Sequence, residues 1–415
     1  MSQIREARRR ANTGWVELRL TIGIPTELFA SGGWLVSIHK FLIKYPAAAA
    51  ALFLAGSAIA QIGVTADKII IGQSAGFTGS VAGAVKEQTA GAKAYFDIVN
   101  ARGGVHGRKI VLESMDDGFD PKRTPDVIQK LIVEKKVFAL FLSRGTPTNE
   151  AAIPVIEKYK VPLIGPSTGA MTMYDPPHKY LFPVRASYRS ETFKLVDQLV
   201  SMGIAKIAVV YTDDSFGKDG LSGVQQALKE KNITPVAVAS HPRGTTKVEE
   251  AVATIAKAEP QAVIMTVLAD AGVAFVKQMK KTGQSPLFLT LSNNSSNAFI
   301  KNLGEDGPGV AVSQVSPYPF SATVPIVKEF QDAISGKKDV AASYASMEGF
   351  IAAKVLVEGL KRAGPRPTRE KLVAALESLN RFDLGGVDVT YGPGKRTGTS
   401  YIDITIVGKS GKFMR

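Results

Sequence analysis

Cysteine is absent from the 415 residues, which removes disulfides, thiolate metal sites and cysteine nucleophiles together. That absence leaves the redox compartment open. Histidine is scarce too: beyond residue 60 only His106, His178 and His241 occur, each with the Gly, Pro or Arg neighbours of a turn. Long basic runs and aromatic-basic ladders are missing from the same region, where Lys and Arg are dispersed among acids. Nucleic acid is therefore not an expected partner, although the formal charge is +14. The most apolar stretch, Tyr45 to Ile59, falls short of the ~20 residues that span a bilayer.

What is present suits a globular protein of more than one lobe. The chain exceeds the ~250 to 300 residues that one hydrophobic core supports. Apolar residues make up 45% and charged residues 21%, which fits neither wholesale disorder nor a polytopic membrane protein. Residues 1–60 hold seven of the 51 Lys and Arg and three of the 37 Asp and Glu, so the remainder is still basic. Such charge either draws in anionic solutes or forms a solvated surface.

Lys40 and Lys44 precede the apolar stretch, and Ala58-Ile59-Ala60 places small residues at the two positions a signal peptidase reads. A signal peptide over about 37–60, cleaved before Gln61, is expected. Residues 1 to about 34 read as an upstream extension, because Arg8-Arg9-Arg10 lies too far from the apolar segment to serve as a twin-arginine signal.

From Asp67 onward, short β-branched runs alternate with amphipathic stretches of helical length, the pattern of repeated βα units and parallel sheets. Strands are expected at 68–73, 109–114, 137–142 and 162–165, with helices at 83–100, 121–135 and 149–158 between them. After Leu181–Tyr188, which reads as a crossover, the alternation restarts. Strands at 207–211, 235–239, 262–266 and 287–290 are separated by helices at 191–202, 217–231, 247–258 and 271–282. The expectation is an α/β protein of two doubly wound parallel-sheet lobes. Further crossovers at Val310–Val315 and Tyr391–Pro393 would divide it into a first lobe of 67–186 and 316–391 and a second of 187–315 and 392–415.

Several loops at strand ends carry candidate chemistry. Gly72-Gln73-Ser74-Ala75-Gly76 matches the G-x-S-x-G nucleophile elbow, so a serine hydrolase using Ser74 is one reading. The motif sits on the first strand, however, where that fold needs it after several. Ala75 to Gly83 is a glycine-rich loop before a helix, able to bring amides near an anionic group but lacking the G-x-G-x-x-G spacing. Arg144 to Thr148 and Gly165 to Ala170 each follow a strand and sit where open α/β sheets bind ligands. Asp213 to Gly217 lacks the spacing of a calcium loop, and Asp214 or Ser215 caps the next helix. Asn293 to Asn297 is either a ligand contact or a polar turn. Asp116-Asp117 lacks the further ligands of a metal site, so neither metal nor cofactor is expected.

Taken in order, GGVHGR, DDGFDP, VFALF followed by GTPT, VPLIGPSTGA, FPVRASYRSET and IAVVYTDDSFGKDG make the chain resemble the branched-chain-amino-acid-binding family of type I periplasmic binding proteins. The resemblance runs from about Asp67 to Arg415. It implies a non-enzymatic, monomeric, periplasmic receptor with a three-crossover hinge, which traps a small ligand and delivers it to an ABC-type permease. A ligand sensor for a signalling partner would use the same cleft. By the same resemblance the ligand-carboxylate loop falls on Gly145 and Thr146, and a second loop on Ser167, Thr168 and Gly169. The loop after the first strand falls on Phe77 to Ala84, with second-lobe contacts near Tyr188, Phe216, Leu268 and Asn293.

Departures from that pattern bear on the ligand. Gly169 stands where amino-acid binders carry a hydroxyl, Ser292-Asn293 where they carry an acid, and Ala84 where many carry an aromatic. A buried ammonium without a counter-charge is costly, so a related carboxylate or amide stands beside an amino acid as the expected ligand.

Overall fold

The computed structural model describes residues 62–415, so the signal segment and the extension before it lie outside the described residues. The described chain forms one compact unit. No helix in it is long and apolar enough to cross a membrane.

The first lobe is built from β1 (Lys68–Ala75), α1 (Ala82–Ala101), β2 (Lys109–Asp116), α2 (Thr124–Val133), β3 (Ala139–Phe141), α3 (Thr146–Tyr159), β4 (Leu163–Ile164) and β5 (Leu181–Phe182). Its five strands are parallel in the order β2-β1-β3-β4-β5. The second lobe continues with α4 (Tyr188–Ser201), β6 (Ile207–Asp213), α5 (Ser215–Glu230), β7 (Ala237–Pro242), α6 (Glu249–Lys257), β8 (Ala262–Thr266), α7 (Ala269–Lys281), β9 (Leu287–Thr290), α8 (Asn297–Leu303) and β10 (Ala311–Gln314). Its parallel strands run β7-β6-β8-β9-β10, the same winding as the first lobe. In both sheets the order reverses beside the first strand, between β1 and β3 and between β6 and β8. Ligand crevices of doubly wound sheets open at such points, beyond the carboxyl ends of the strands.

The chain then returns to the first lobe through α9 (Pro325–Ile334), α10 (Tyr344–Arg362) and α11 (Arg369–Glu377), followed by β11 (Phe382–Asp383), β12 (Asp388–Gly392) and β13 (Lys395–Thr399). These helices cover the first sheet, with Ile326, Phe330, Phe350 and Leu372 sharing a core with Ile69, Ile71 and Phe141. β14 (Asp403–Val407) and β15 (Phe413–Met414) finish the second sheet as antiparallel edge strands.

The crossings between lobes differ in place from the sequence expectation. Leu181–Phe182 pairs with β4, so the first crossing is 183–187. Ala311–Gln314 is a strand of the second sheet, and the second crossing follows it. Tyr391–Pro393 belongs to the β12–β13 hairpin and not to a crossing. Tyr391 is anchored to the first lobe, its hydroxyl donating to Pro183 O at 2.9 Å and its ring packed edge-on against Phe182. Thr399 N also donates to Val184 O at 2.7 Å, so the third crossing falls at 400–402.

Two glycines set how closely α1 and α10 approach, and that approach carries Glu87 and Gln88 to the gap between the lobes. A Cβ at Gly91 would lie 1.8 Å from Ser346 O, and one at Gly349 would lie 1.9 Å from Gln88 O. Both obstacles are backbone atoms, which cannot swing aside. In an open helix Gly to Ala stabilises by roughly 1 kcal/mol. Here Gly91→Ala and Gly349→Ala should each destabilise by about 1 to 3 kcal/mol through overpacking. A urea midpoint unchanged or raised in both variants would contradict this account of the helix pair.

Candidate functional site

The loop between β3 and α3 leaves the sheet through Gly145, whose φ of 99° is left-handed territory that favours glycine. Gly145 N donates to Ser167 O at 3.2 Å, and Ser167 N donates to Ser143 O at 2.7 Å, so the loops after β3 and β4 are laced together. Helix α3 starts at Thr146, earlier than the expected 149, because Pro147 is tolerated in a first turn. This start sets the Thr146 and Thr168 hydroxyls 2.7 Å apart. Beside them the Ser167 hydroxyl donates to Gln88 Oε1 at 3.0 Å.

Arg144 is the charged member of this cluster. Its Nη1 donates to Gln88 Oε1 at 3.2 Å and to Ser167 Oγ at 3.0 Å, and its Nη2 donates to Asn293 O of the second lobe at 3.0 Å. All three acceptors are neutral. No carboxylate lies within 4 Å of the guanidinium among the described residues. Burial therefore lowers its pKa from the ordinary value, opposed only through space by Tyr188 and Glu348, while Arg185 adds to the lowering.

Arg185, on the first crossing, shows the contrasting case. It lies 2.6 Å from Glu191 of α4 and 3.5 Å from Glu348 of α10. Burial acts to lower its pKa as well, but Glu348 and Glu191 outweigh burial and hold it above the ordinary value. Glu191 also accepts from Ser292 N at 2.9 Å and from the Ser313 hydroxyl.

A cavity of about 150 Å³ separates the lobes next to Arg144. Ala84, Leu268 and Asn293 line it, as do Arg144, from a loop the sequence singled out, and Asp270, which the sequence did not place in the site. Asn293 Nδ2 donates to Val267 O and to Asn294 Oδ1, both at 3.0 Å, whereas its Oδ1 is buried with no donor. Asp270 opens α7 on the second-lobe wall, and burial raises its pKa. Gly79, Ser80, Val81 and Gly83 of the expected loop Phe77 to Ala84 line it too, with Asn294 and Ser296 of the expected 293–297 stretch, whereas the remaining expected residues do not. Phe77 is half-buried against the apolar cluster at the cleft. Thr146, Ser167, Thr168 and Gly169 form the layer around Arg144, and Tyr188 packs edge-on against Phe216 with ring centroids 5.2 Å apart. Gly169 is constrained by that layer, since a Cβ there would lie 2.7 Å from Tyr188 N, leaving no room for a hydroxyl side chain.

Arg144 stood in the loop singled out from the sequence, directly before Gly145. A lone Arg at a strand end has no signature separating it from a solvated surface charge. Gln88 follows Ala84 by four residues on α1, a helical spacing that puts both on one face. Its Nε2 is buried and donates to nothing among the described residues.

The lobes are closed on each other. Ala75, Val81, Val85 and Phe119 of the first share an apolar cluster with Tyr188, Phe216 and Leu268 of the second. Glu87 accepts from the backbone of Asn297 and Ala298 at 3.1 and 3.2 Å, Ser215 donates to Glu150 at 2.5 Å, and Arg243 donates to Phe119 O at 3.1 Å. Arg243 also stacks on the Phe119 ring.

Hydrolysis at Ser74 finds no support. Ser74 is fully buried and donates to Asp117 Oδ2 at 2.8 Å. The histidines are engaged elsewhere: His106 with Lys361 O, His178 with Glu157, and His241 with Thr212. Asp214 accepts from Gly217 N at 2.9 Å as the cap of α5. Among the described residues no cluster of three or more His, Cys, Asp or Glu could hold a metal ion.

A family model described as periplasmic binding protein matches residues 68–412. The chain is 34% identical to the substrate-binding periplasmic protein of Ralstonia solanacearum, whose crystal structure superposes with a TM-score of 0.79 over 83% of this chain and 99% of that one. A possible leucine/isoleucine/valine-binding protein from Rhodopirellula baltica SH 1 is 29% identical, with a TM-score of 0.79, over 84% and 97% of the two chains. Leu/Ile/Val-binding protein homolog 8 of Brucella abortus (strain 2308) is 25% identical over 76% of this chain and 82% of its own length.

Among the cross-cleft contacts is Asp219, whose pKa burial raises. Its Oδ1 accepts from Met171 N of the first lobe at 2.9 Å, and its Oδ2 has no partner. Burial pushes its pKa up to about 6, against the lowering effects of the Met171 bond and Arg189, with Glu150 adding to the rise. Below the ordinary 3.8 the carboxyl is neutral in folded and unfolded chains alike, and between 3.8 and 6 only the unfolded chain ionises freely. The Asp219 contribution to stability should therefore fall as pH rises from about 4 to 7, and Asp219→Asn should remove that part of the slope. Parallel melting-temperature curves for the two proteins over this range would contradict the assignment.

Proposed function

The chain belongs to the periplasmic binding protein family, and from that premise we propose that it captures a small polar solute by closing its lobes and delivers it to the permease of an ABC-type uptake system. The observation that carries the reading is the cavity between the lobes, walled by Ala84 and Arg144 from one side and by Leu268, Asp270 and Asn293 from the other. Neither lobe alone forms such a site. Closure also brings Phe119 and Val81 against Phe216 and Leu268, so apolar surface leaves water as the cleft shuts.

A solute favours the closed form only by the contacts it makes there and not in the open form. Arg144, Asn293 and Asp270 supply such contacts, because they face one another only when the lobes meet. The ligand reading is an amino acid or a related carboxylate or amide. The site makes and breaks no bond. Export follows from the segment about 37–60, with the mature protein starting near Gln61 in the periplasm and acting as a monomer.

A thermal-shift screen of the purified protein against amino acids, aliphatic and aromatic carboxylates, amides and urea tests the reading. A ligand at 100 times its Kd should stabilise the fold by about 2.7 kcal/mol. Scattering should show compaction on binding, as the ligand draws open molecules into the closed form. Absence of any shift across the whole panel would contradict solute capture.

A further inference from the structure

We infer that Arg243 of the second lobe and Phe119 of the first form a clasp that holds the lobes shut, and that the buried pair Ser74 and Asp117 keeps Phe119 in reach of it. The inference rests on the solute-binding reading and adds the residues that set how firmly the cleft stays closed. Phe119 ends the turn after β2 with a φ of 59°, and Gly118 before it has a φ of 64°. Glycine adopts such backbone freely. A bulky side chain persists there only when its surroundings over-determine it, and residues held in this way concentrate at clamps and ligand sites.

The groups that hold Phe119 come from the first lobe. Phe119 N donates to Asp117 Oδ1 at 2.8 Å, while Asp117 Oδ2 accepts from the Ser74 hydroxyl at 2.8 Å and from the Thr124 hydroxyl at 3.2 Å. Ser74 and Asp117 are fully buried, so the turn is pinned to β1 from inside. Two glycines make room for the side chain. A Cβ at Gly76 would lie 2.8 Å from Phe119 Cβ, and one at Gly145 would lie 2.4 Å from Phe119 Cε2. Phe119 therefore packs against the loop that leads to Gly79 and against the loop of Arg144, both of which reach the cavity. The motif Gly72 to Gly76 thereby has a use other than hydrolysis: its serine anchors the turn, and its last glycine leaves space for Phe119.

The second half of the clasp comes from the turn after β7. Arg243 lays its guanidinium 4.3 Å from the Phe119 ring centroid, and its Nη2 donates to Phe119 O at 3.1 Å. Its Nη1 donates to Asp214, the residue that caps α5. Asp214 and Arg243 belong to the same lobe, so the planar fork is aimed before the lobes meet. A guanidinium fixed in this way stacks on an aromatic face and still has an N–H for a carbonyl. Because these contacts form only between shut lobes, they bias the chain towards closure with or without a solute. A captured solute leaves only after the clasp opens, so the clasp lengthens its stay.

The chain has no cysteine, so two introduced ones can be labelled specifically. Lys130→Cys on α2 and Lys229→Cys on α5, both exposed and one on each lobe, carry spin labels whose separation distinguishes open from closed lobes without any solute. The labelled protein should show a populated closed form. Arg243→Gln should lower its closed-to-open ratio about 10-fold, the loss expected for one hydrogen bond and one stacked cation. Phe119→Leu should lower the ratio too, and Phe119→Tyr should keep it. Ser74→Ala, whose lost hydroxyl bonds within the first lobe, should lower it about threefold through the position of Phe119. If Phe119→Leu does not fold, Arg243→Gln at the half-buried edge still decides. A ratio unchanged in Arg243→Gln, or a labelled protein with no closed form, would overturn the clasp while leaving solute capture standing. A ratio unchanged in Ser74→Ala would overturn the anchoring role. No solute enters this measurement, so a failed solute screen counts against the solute-binding reading alone.

Discussion

Arg185 lies on the first passage between the lobes and meets a carboxylate from each, Glu191 of the second and Glu348 of the first. Ser292 and Ser313, next to the strands that lead to the second passage, complete the oxygens around Glu191. Removing one partner from a buried pair of this kind typically costs about 3 to 5 kcal/mol, because the survivor is left charged in a dry site. The network therefore fixes the junction about which the lobes turn.

Contacts farther from the junction are of a different kind. Glu87 with the start of α8, Ser215 with Glu150, and Arg243 with Phe119 are single hydrogen bonds near the cleft edge. Each net contribution is about 1 kcal/mol, so together they hold the closed form without making it irreversible. A ligand that makes its contacts only in the shut cleft can then shift the open and closed populations decisively, since about 5.5 kcal/mol of differential binding moves such an equilibrium from 1:99 to 99:1. The firm junction and the weak rim together make closure depend on what is in the cleft.

Much of this architecture was legible in the sequence because β-branched runs alternating with helical spacing leave few other folds. The strands Ala262–Thr266 and Leu287–Thr290 fall where expected, and both sheets have the doubly wound order. The third crossing was not legible: Tyr391-Gly392-Pro393 reads as a break, and only the bond from Tyr391 to Pro183 shows that it stays in the first lobe. At the site, the loops after β3 and β4 were found from Gly, Ser and Thr at strand ends. Arg144 was passed over because pattern does not reveal whether a surface-type residue is buried or paired. The expected second-lobe acid was sought at Ser292-Asn293, whereas the carboxylate on that wall, Asp270, sits in the first turn of α7.

Ligand capture turns on what occupies the cavity between the lobes when they are shut. A crystal structure of the protein with its tightest-binding solute measures this directly. The expected result is closed lobes with the ligand enclosed between Ala84 and Arg144 on one side and Leu268, Asp270 and Asn293 on the other. A ligand bound outside the cleft, or lobes that stay open around it, would contradict capture by closure.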